Sequence, residues 1–113
     1  MTITRIQPGP RMSEAVIHNG TIHLAGQVAK GSDVAEQTKG VLDAIDALLA
    51  KCGSSKSKIL SATIWLADIS TFAEMNSVWD SWVDPENPPA RATSEGKLAA
   101  AEYKVEIIVV AAQ

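Results

Sequence analysis

Cysteine is almost absent. Cys52 stands alone, so no intramolecular disulfide can form, and with only two histidines there is no Cys/His cluster of the kind that holds zinc. Aromatics are scarce too: three Trp, one Tyr and one Phe. Small aliphatic side chains must therefore fill the core, and small domains with modest cores often gain burial by associating. A basic excess is also lacking. Ten Lys and Arg face thirteen Asp and Glu, a net charge of −3, and the basic residues are scattered apart from Lys51, Lys56 and Lys58. Nucleic-acid binding usually needs a basic face, so no nucleic-acid partner is expected. No run reaches the roughly 20 apolar residues of a membrane span, and Met-Thr-Ile-Thr-Arg has no signal-peptide core. These absences predict a soluble cytoplasmic protein with no membrane partner. There is no phosphate-binding glycine loop and no Gly-x-Ser-x-Gly elbow.

What is present suits one globular domain, residues 1–113. The chain is 46% hydrophobic and 20% charged, and at 113 residues it is long enough for one core but too short for two. A first strand is predicted over residues 2–7, ended by Pro8-Gly9-Pro10, since proline fixes φ and removes a donor. Residues 15–18 and 21–26 read as strands joined at Asn19-Gly20, the strongest short-range hairpin signal. From Asp33 the period changes. Val34, Val41, Leu42, Ile45, Leu48 and Leu49 share one helical face, so a helix is predicted over residues 34–52. Asp33 and Glu36 have the spacing of a capping box, and Gly53 that of a C-terminal cap.

Residues 59–67 are apolar almost throughout, which predicts a central strand covered on both faces. A second helix is predicted over residues 71–83, with Thr71 and Glu74 at capping-box spacing and Ser70 a competing cap. Its stripe is Phe72, Met75, Val78, Trp79, Trp82 and Val83, and the proline-rich segment 84–89 ends it. Strands over residues 90–98 and 104–112 complete the order β-β-β-α-β-α-β-β. That order predicts an α+β layer with two helices on one face of a mixed sheet.

Two residues stand out chemically. Arg91 follows the stiff segment Asn87-Pro88-Pro89-Ala90, and a guanidinium mounted this way suits a fixed carboxylate receptor. It reads equally as an edge-strand surface charge with a weak salt bridge. Glu106 is the one carboxylate within the apolar run 105–112, with Lys104 one strand period before it. A carboxylate there points to a functional site, or else to an exposed strand end or a structural ion pair. Cys52 reads as a small core residue, His18 and His23 as side chains flanking a turn, and Trp79 and Trp82 as core or interface anchors.

Three segments together resemble one family. Ala25-Gly26-Gln27-Val28-Ala29 after a hairpin resembles the Ser-Gly-Gln segment of the RidA/YjgF imine deaminases. Pro88-Pro89-Ala90-Arg91-Ala92-Thr93 resembles that family's Pro-x-Arg signature, which carries its carboxylate-binding arginine. Lys104-Val105-Glu106-Ile107 resembles its last strand. The element order fits over essentially the whole chain, and Arg11-Met12-Ser13-Glu14, residues 65–68 and Met75-Asn76-x-x-Trp79 are closer to a divergent subgroup. The resemblance implies a chorismate-mutase-like fold and a homotrimer with a barrel-like core and clefts between subunits. It implies a hydrolase that converts 2-imino acids or enamines to 2-keto acids and ammonia, with no metal and no cofactor.

By the same resemblance, Arg91 clamps the substrate carboxylate and Glu106 handles the water and its proton. Gly26, Thr93 and Met12 complete the substrate-binding set. Thr93 stands where the archetype has a cysteine, and Gly9-Pro10-Arg11-Met12 stands where it has a pocket tyrosine. A different reading keeps the same residues: a non-catalytic trimer that binds 2-keto acids or other small carboxylates as a sensor. A third, ribonuclease activity, is opposed by the net charge.

Overall fold

The computed structural model describes residues 2–113. Its first hairpin follows from two residues. Asn19 and Gly20 both adopt positive φ, 53° and 74°, the pair of conformations a type I′ turn requires. They join β2 (Ser13–His18) to β3 (Thr21–Leu24) in antiparallel register, Ala15 opposite Leu24. The first strand, β1 (Thr4–Pro8), starts later than predicted and runs into Pro8, which pairs with Ser13. Proline is accepted there because β1 is an edge strand. The break falls instead at Gly9, whose N–H donates to the Met12 carbonyl at 2.7 Å.

The first helix, α1 (Val34–Lys51), begins at Asp33, whose carboxylate accepts from the Glu36 N–H at 2.8 Å. Only that half of the predicted capping box forms. The Glu36 carboxylate reaches back one residue further, accepting from the N–H and hydroxyl of Ser32, and these bonds hold it below its ordinary pKa. Cys52 caps the other end rather than belonging to the helix, and Gly53 follows with φ 76°.

After a 3-10 turn over Lys56–Lys58 come β4 (Ile59–Leu66), a second 3-10 turn (Ile69–Thr71) and α2 (Phe72–Trp82). The start of α2 corrects the expected cap. Thr71 makes no side-chain cap bond; Asp68 accepts from Ser70 one turn earlier, and Glu74 reaches across to the Ala35 N–H of α1 at 3.0 Å. The last strands, β5 (Ala90–Glu95) and β6 (Val105–Ala112), are shorter than predicted.

All six strands form one sheet in the order β1-β2-β3-β6-β4-β5. Only β4 and β5, joined through α2, are parallel. In β6, Val105, Ile107, Val109 and Ala111 are buried beneath the helices, and Glu106, Ile108, Val110 and Ala112 alternate onto the other face. Each fully buried Ile, Leu or Val contributes about 1.5–3 kcal/mol. The expectation that β4 is covered on both faces is not met within the chain. Ala62, Ile64 and Leu66 are buried, but Trp65 is exposed and Ser61 and Thr63 are half-exposed. The helices cover one face, and the other is open.

Gln37 of α1, 1% exposed, fixes the approach to β6. Its amide donates to the Gly31 and Glu102 carbonyls and accepts from the Lys104 N–H. Among the described residues, no helix is long and apolar enough to cross a membrane.

Candidate functional site

The edge strand β5 carries Arg91. Its register partner is Ala62, which faces the helices, so the Arg91 side chain lies against α2. There Nη1 donates to Asn76 Oδ1 at 2.8 Å, and the guanidinium carbon sits 5.2 Å from the Trp79 ring centroid and 5.8 Å from that of Phe72. Aromatic faces attract a cation at this range, and the single hydrogen bond leaves most of the guanidinium donors uncommitted. The approach is braced as well. Asp84 accepts from the Glu86 N–H and the Asn87 amide, which hold its carboxyl below the ordinary 3.8. Asn76, Phe72 and Trp79 were not foreseen as the holders of Arg91. Their spacing along one helical stripe was the available signal.

Two residues along β5, Thr93 faces the same way, opposite Ile64. Its hydroxyl oxygen is buried with no hydrogen-bond partner among the described residues. Such a group is costly to leave unsatisfied.

Glu106 lies elsewhere. It is the second residue of β6 and pairs with Trp65 of β4, on the open face. Gly26 lies against it: a Cβ at that position would sit 2.9 Å from Glu106 Oε2. Only glycine allows so close an approach. The Gly26 segment is tied to β6 by Gln27, whose N–H donates to the Ile107 carbonyl at 2.9 Å and whose carbonyl accepts from the Ile107 N–H at 3.1 Å. The Gln27 amide donates to Glu14 at 3.1 Å. Among the described residues, Lys104 makes no ion pair with Glu106. It precedes β6, its backbone tied to Gln37, and among the described residues the one ion pair is Lys39–Asp43.

The five anticipated residues thus fall into separate groups. Arg91 and Thr93 share the helix side of β5. Gly26 and Glu106 meet on the open face. Met12 lies in the β1–β2 turn, 51% exposed, two residues before Glu14. From the strand spacing and register, the Arg91 and Glu106 backbones stand about 10 Å apart across the sheet and about 10 Å along it. Their side chains leave opposite faces, so one chain does not bring them together. Cys52 is buried as expected, and burial pushes its thiol pKa up, away from nucleophilic use.

The sequence model of the family described as endoribonuclease L-PSP matches residues 2–113. The chain belongs to this family. A curated relative from Haemophilus influenzae, a RutC family protein, is 53% identical over 114 residues, covering 98% of each chain. The RutC family protein YoaB of Escherichia coli K12 is 49% identical over 113 residues, covering 99% of each. A solved member of the YjgF family from Neisseria meningitidis superposes with a TM-score of 0.98 at 48% identity, covering 100% of this chain and 96% of that one. The resemblance to RidA/YjgF proteins and the α+β fold it implied are therefore borne out. The L-PSP/YjgF family is the frame in which the separated Arg91 and Glu106 are to be understood.

Proposed function

We propose that this family member hydrolyses 2-imino acids, or their enamine tautomers, to 2-keto acids and ammonia at clefts between the protomers of a homotrimer. The observation that carries this reading is the opposed placement of Arg91 and Glu106. Each is poised on its own side of the sheet and each lacks the partner its chemistry calls for. A neighbouring copy that brings its β5 edge to the open face joins the two halves.

In that cleft, Arg91 of the partner subunit binds the substrate carboxylate bidentately. Backbone groups about Gly26 and Thr93 orient the iminium nitrogen and a water. Glu106 takes a proton from the water as its oxygen bonds to C2, then gives that proton to nitrogen. The C–N bond breaks, the hydroxyl proton leaves with ammonia as ammonium, and the keto acid remains. Positioning supplies most of the gain, because the imine is already electrophilic.

The endoribonuclease name attached to the family suggests RNA as a rival substrate. A net charge of −3, with its basic residues scattered, opposes binding of a polyanion such as RNA. The test is turnover of 2-iminopropanoate generated in situ. Arg91→Ala is expected to lower it by about 100-fold or more with assembly intact. Unchanged turnover would sink the assignment. Wild-type protein that binds 2-keto acids without speeding imine decay would favour the non-catalytic carboxylate sensor, and salt-dependent RNA binding would revive the ribonuclease.

A further inference from the structure

We infer that Trp65 selects substrates by side chain, favouring 2-imino acids with branched or aromatic side chains over 2-iminopropanoate. This rests on the reading of Glu106 as the water-handling carboxylate.

Trp65 is the direct cross-strand partner of Glu106. Directly opposed side chains on one sheet face lie about 5 Å apart at Cβ, so the indole walls the carboxylate on its β4 side, across from Gly26. The ring is not part of the core. It is 36% exposed on the face away from the helices, whereas Trp79 is 5% exposed. Its position is fixed from beside β5. A Cβ at Gly96 would come within 3.1 Å of the ring, so the glycine lets the indole approach the backbone closely. Beyond the ring the chain continues through Leu98 and Ala99. With Lys97 and Glu106 these residues line a groove of about 290 Å³.

A water occupies about 30 Å³ of liquid, so the groove has space well beyond what a methyl substituent needs. Its lining is the indole, Leu98 and Ala99 on the apolar side, with Gly96 and Lys97 adding polar surface. A substrate held with its imine carbon at Glu106 directs its side chain either back toward Gly26, where there is no room, or along Trp65. Apolar bulk placed against the indole leaves water; an enclosed pocket gives about 10-fold or more in kcat/KM per methylene, and an open groove gives about that much for the whole side chain.

The experiment compares imines generated in situ from alanine, leucine and phenylalanine by an amino-acid oxidase. Wild type, Trp65→Ala and Trp65→Phe are used, with assembly followed by sedimentation. The corresponding 2-keto acids are titrated by calorimetry in parallel. Wild type is expected to favour the leucine- and phenylalanine-derived imines by about 10-fold over the alanine-derived one. Trp65→Ala should remove that preference by lowering the leucine- and phenylalanine-derived rates about 10-fold more than the alanine-derived one, and Trp65→Phe should keep it. The keto acids should follow the same order of affinity. A wild-type preference for the small imine, or a Trp65→Ala loss equal for all three, would overturn the inference. Ordered keto-acid binding without turnover would instead remove the deaminase reading and leave Trp65 as the selecting residue. If Trp65→Ala fails to assemble, Trp65→Leu takes its place: loss of the preference for the phenylalanine-derived imine supports selection, and an unchanged order overturns it.

Discussion

Asn76 Oδ1 accepts a hydrogen bond from the Arg91 guanidinium across 2.8 Å, joining α2 to the edge strand of the sheet. A hydrogen bond to a charged group is worth about 1.5–3 kcal/mol. With Arg91 as the proposed carboxylate anchor, Asn76→Ala should loosen it without touching the water. The expected outcome is a KM raised by about 10-fold with kcat within about 2-fold, because binding to ground state and transition state falls alike. Asn76→Asp offers the same acceptor with added charge and should restore the anchor's position while weakening its attraction for a carboxylate. Steady-state kinetics with an assembly control settles it; a fall in kcat at constant KM would argue for a different role.

The opposed faces of Arg91 and Glu106 make a subunit-mixing experiment decisive. Arg91→Ala and Glu106→Gln should each be inactive alone. In an equal mixture refolded together, a site between copies draws its Arg from one protomer and its Glu from another. Random assembly then restores roughly a quarter of the sites, since each intact contribution has an even chance of being present. Activity near a quarter of wild type is expected. A mixture as inactive as its components would mean that each chain builds its own site.

Acid stability should depend on Asp68. Its carboxylate accepts from the Ser70 N–H at 2.9 Å and hydroxyl at 2.7 Å, and these bonds lower its pKa from the ordinary 3.8. With the folded value below the unfolded one, the stabilisation is present above the unfolded pKa and is lost as pH falls through the folded value. Asp68→Asn lacks this titration. The gap in melting temperature between wild type and variant should be constant at neutral pH and narrow below about pH 4. Thermal melts across that range measure it, and a gap that persists at lower pH would contradict the assignment.

Local signals in the sequence translated well where one or two residues decide the backbone. Asn19-Gly20 gave the turn, Gly53 the end of α1, and the 34–49 periodicity the buried face of that helix. The α2 cap was misread because two competitors won: Asp68 took the Ser70 donors, and Glu74 was drawn to α1. The apolar run of β4 predicted cover on both faces, yet Ser61, Thr63 and Trp65 alternate with its buried residues and face away from the helices. Arg91 and Glu106 were both visible as unusual residues. That they point apart depends on the β4–β5 and β4–β6 registers, which are long-range pairings that no local pattern encodes.

The place of β6 has a consequence for how the molecule is made. It lies between β3 and β4, so the amino-terminal hairpins and the β4-α2-β5 unit are joined in the sheet only through it. Yet it is synthesised after all of them. Until it emerges, two half-sheets each expose an apolar strand edge with no internal partner, which is the condition in which chains aggregate. Closure of the sheet is a late, non-local event, and such topologies fold slowly. The strand that carries Glu106 is therefore also the keystone of folding: a chain cut short before residue 105 loses the centre of its sheet together with its carboxylate.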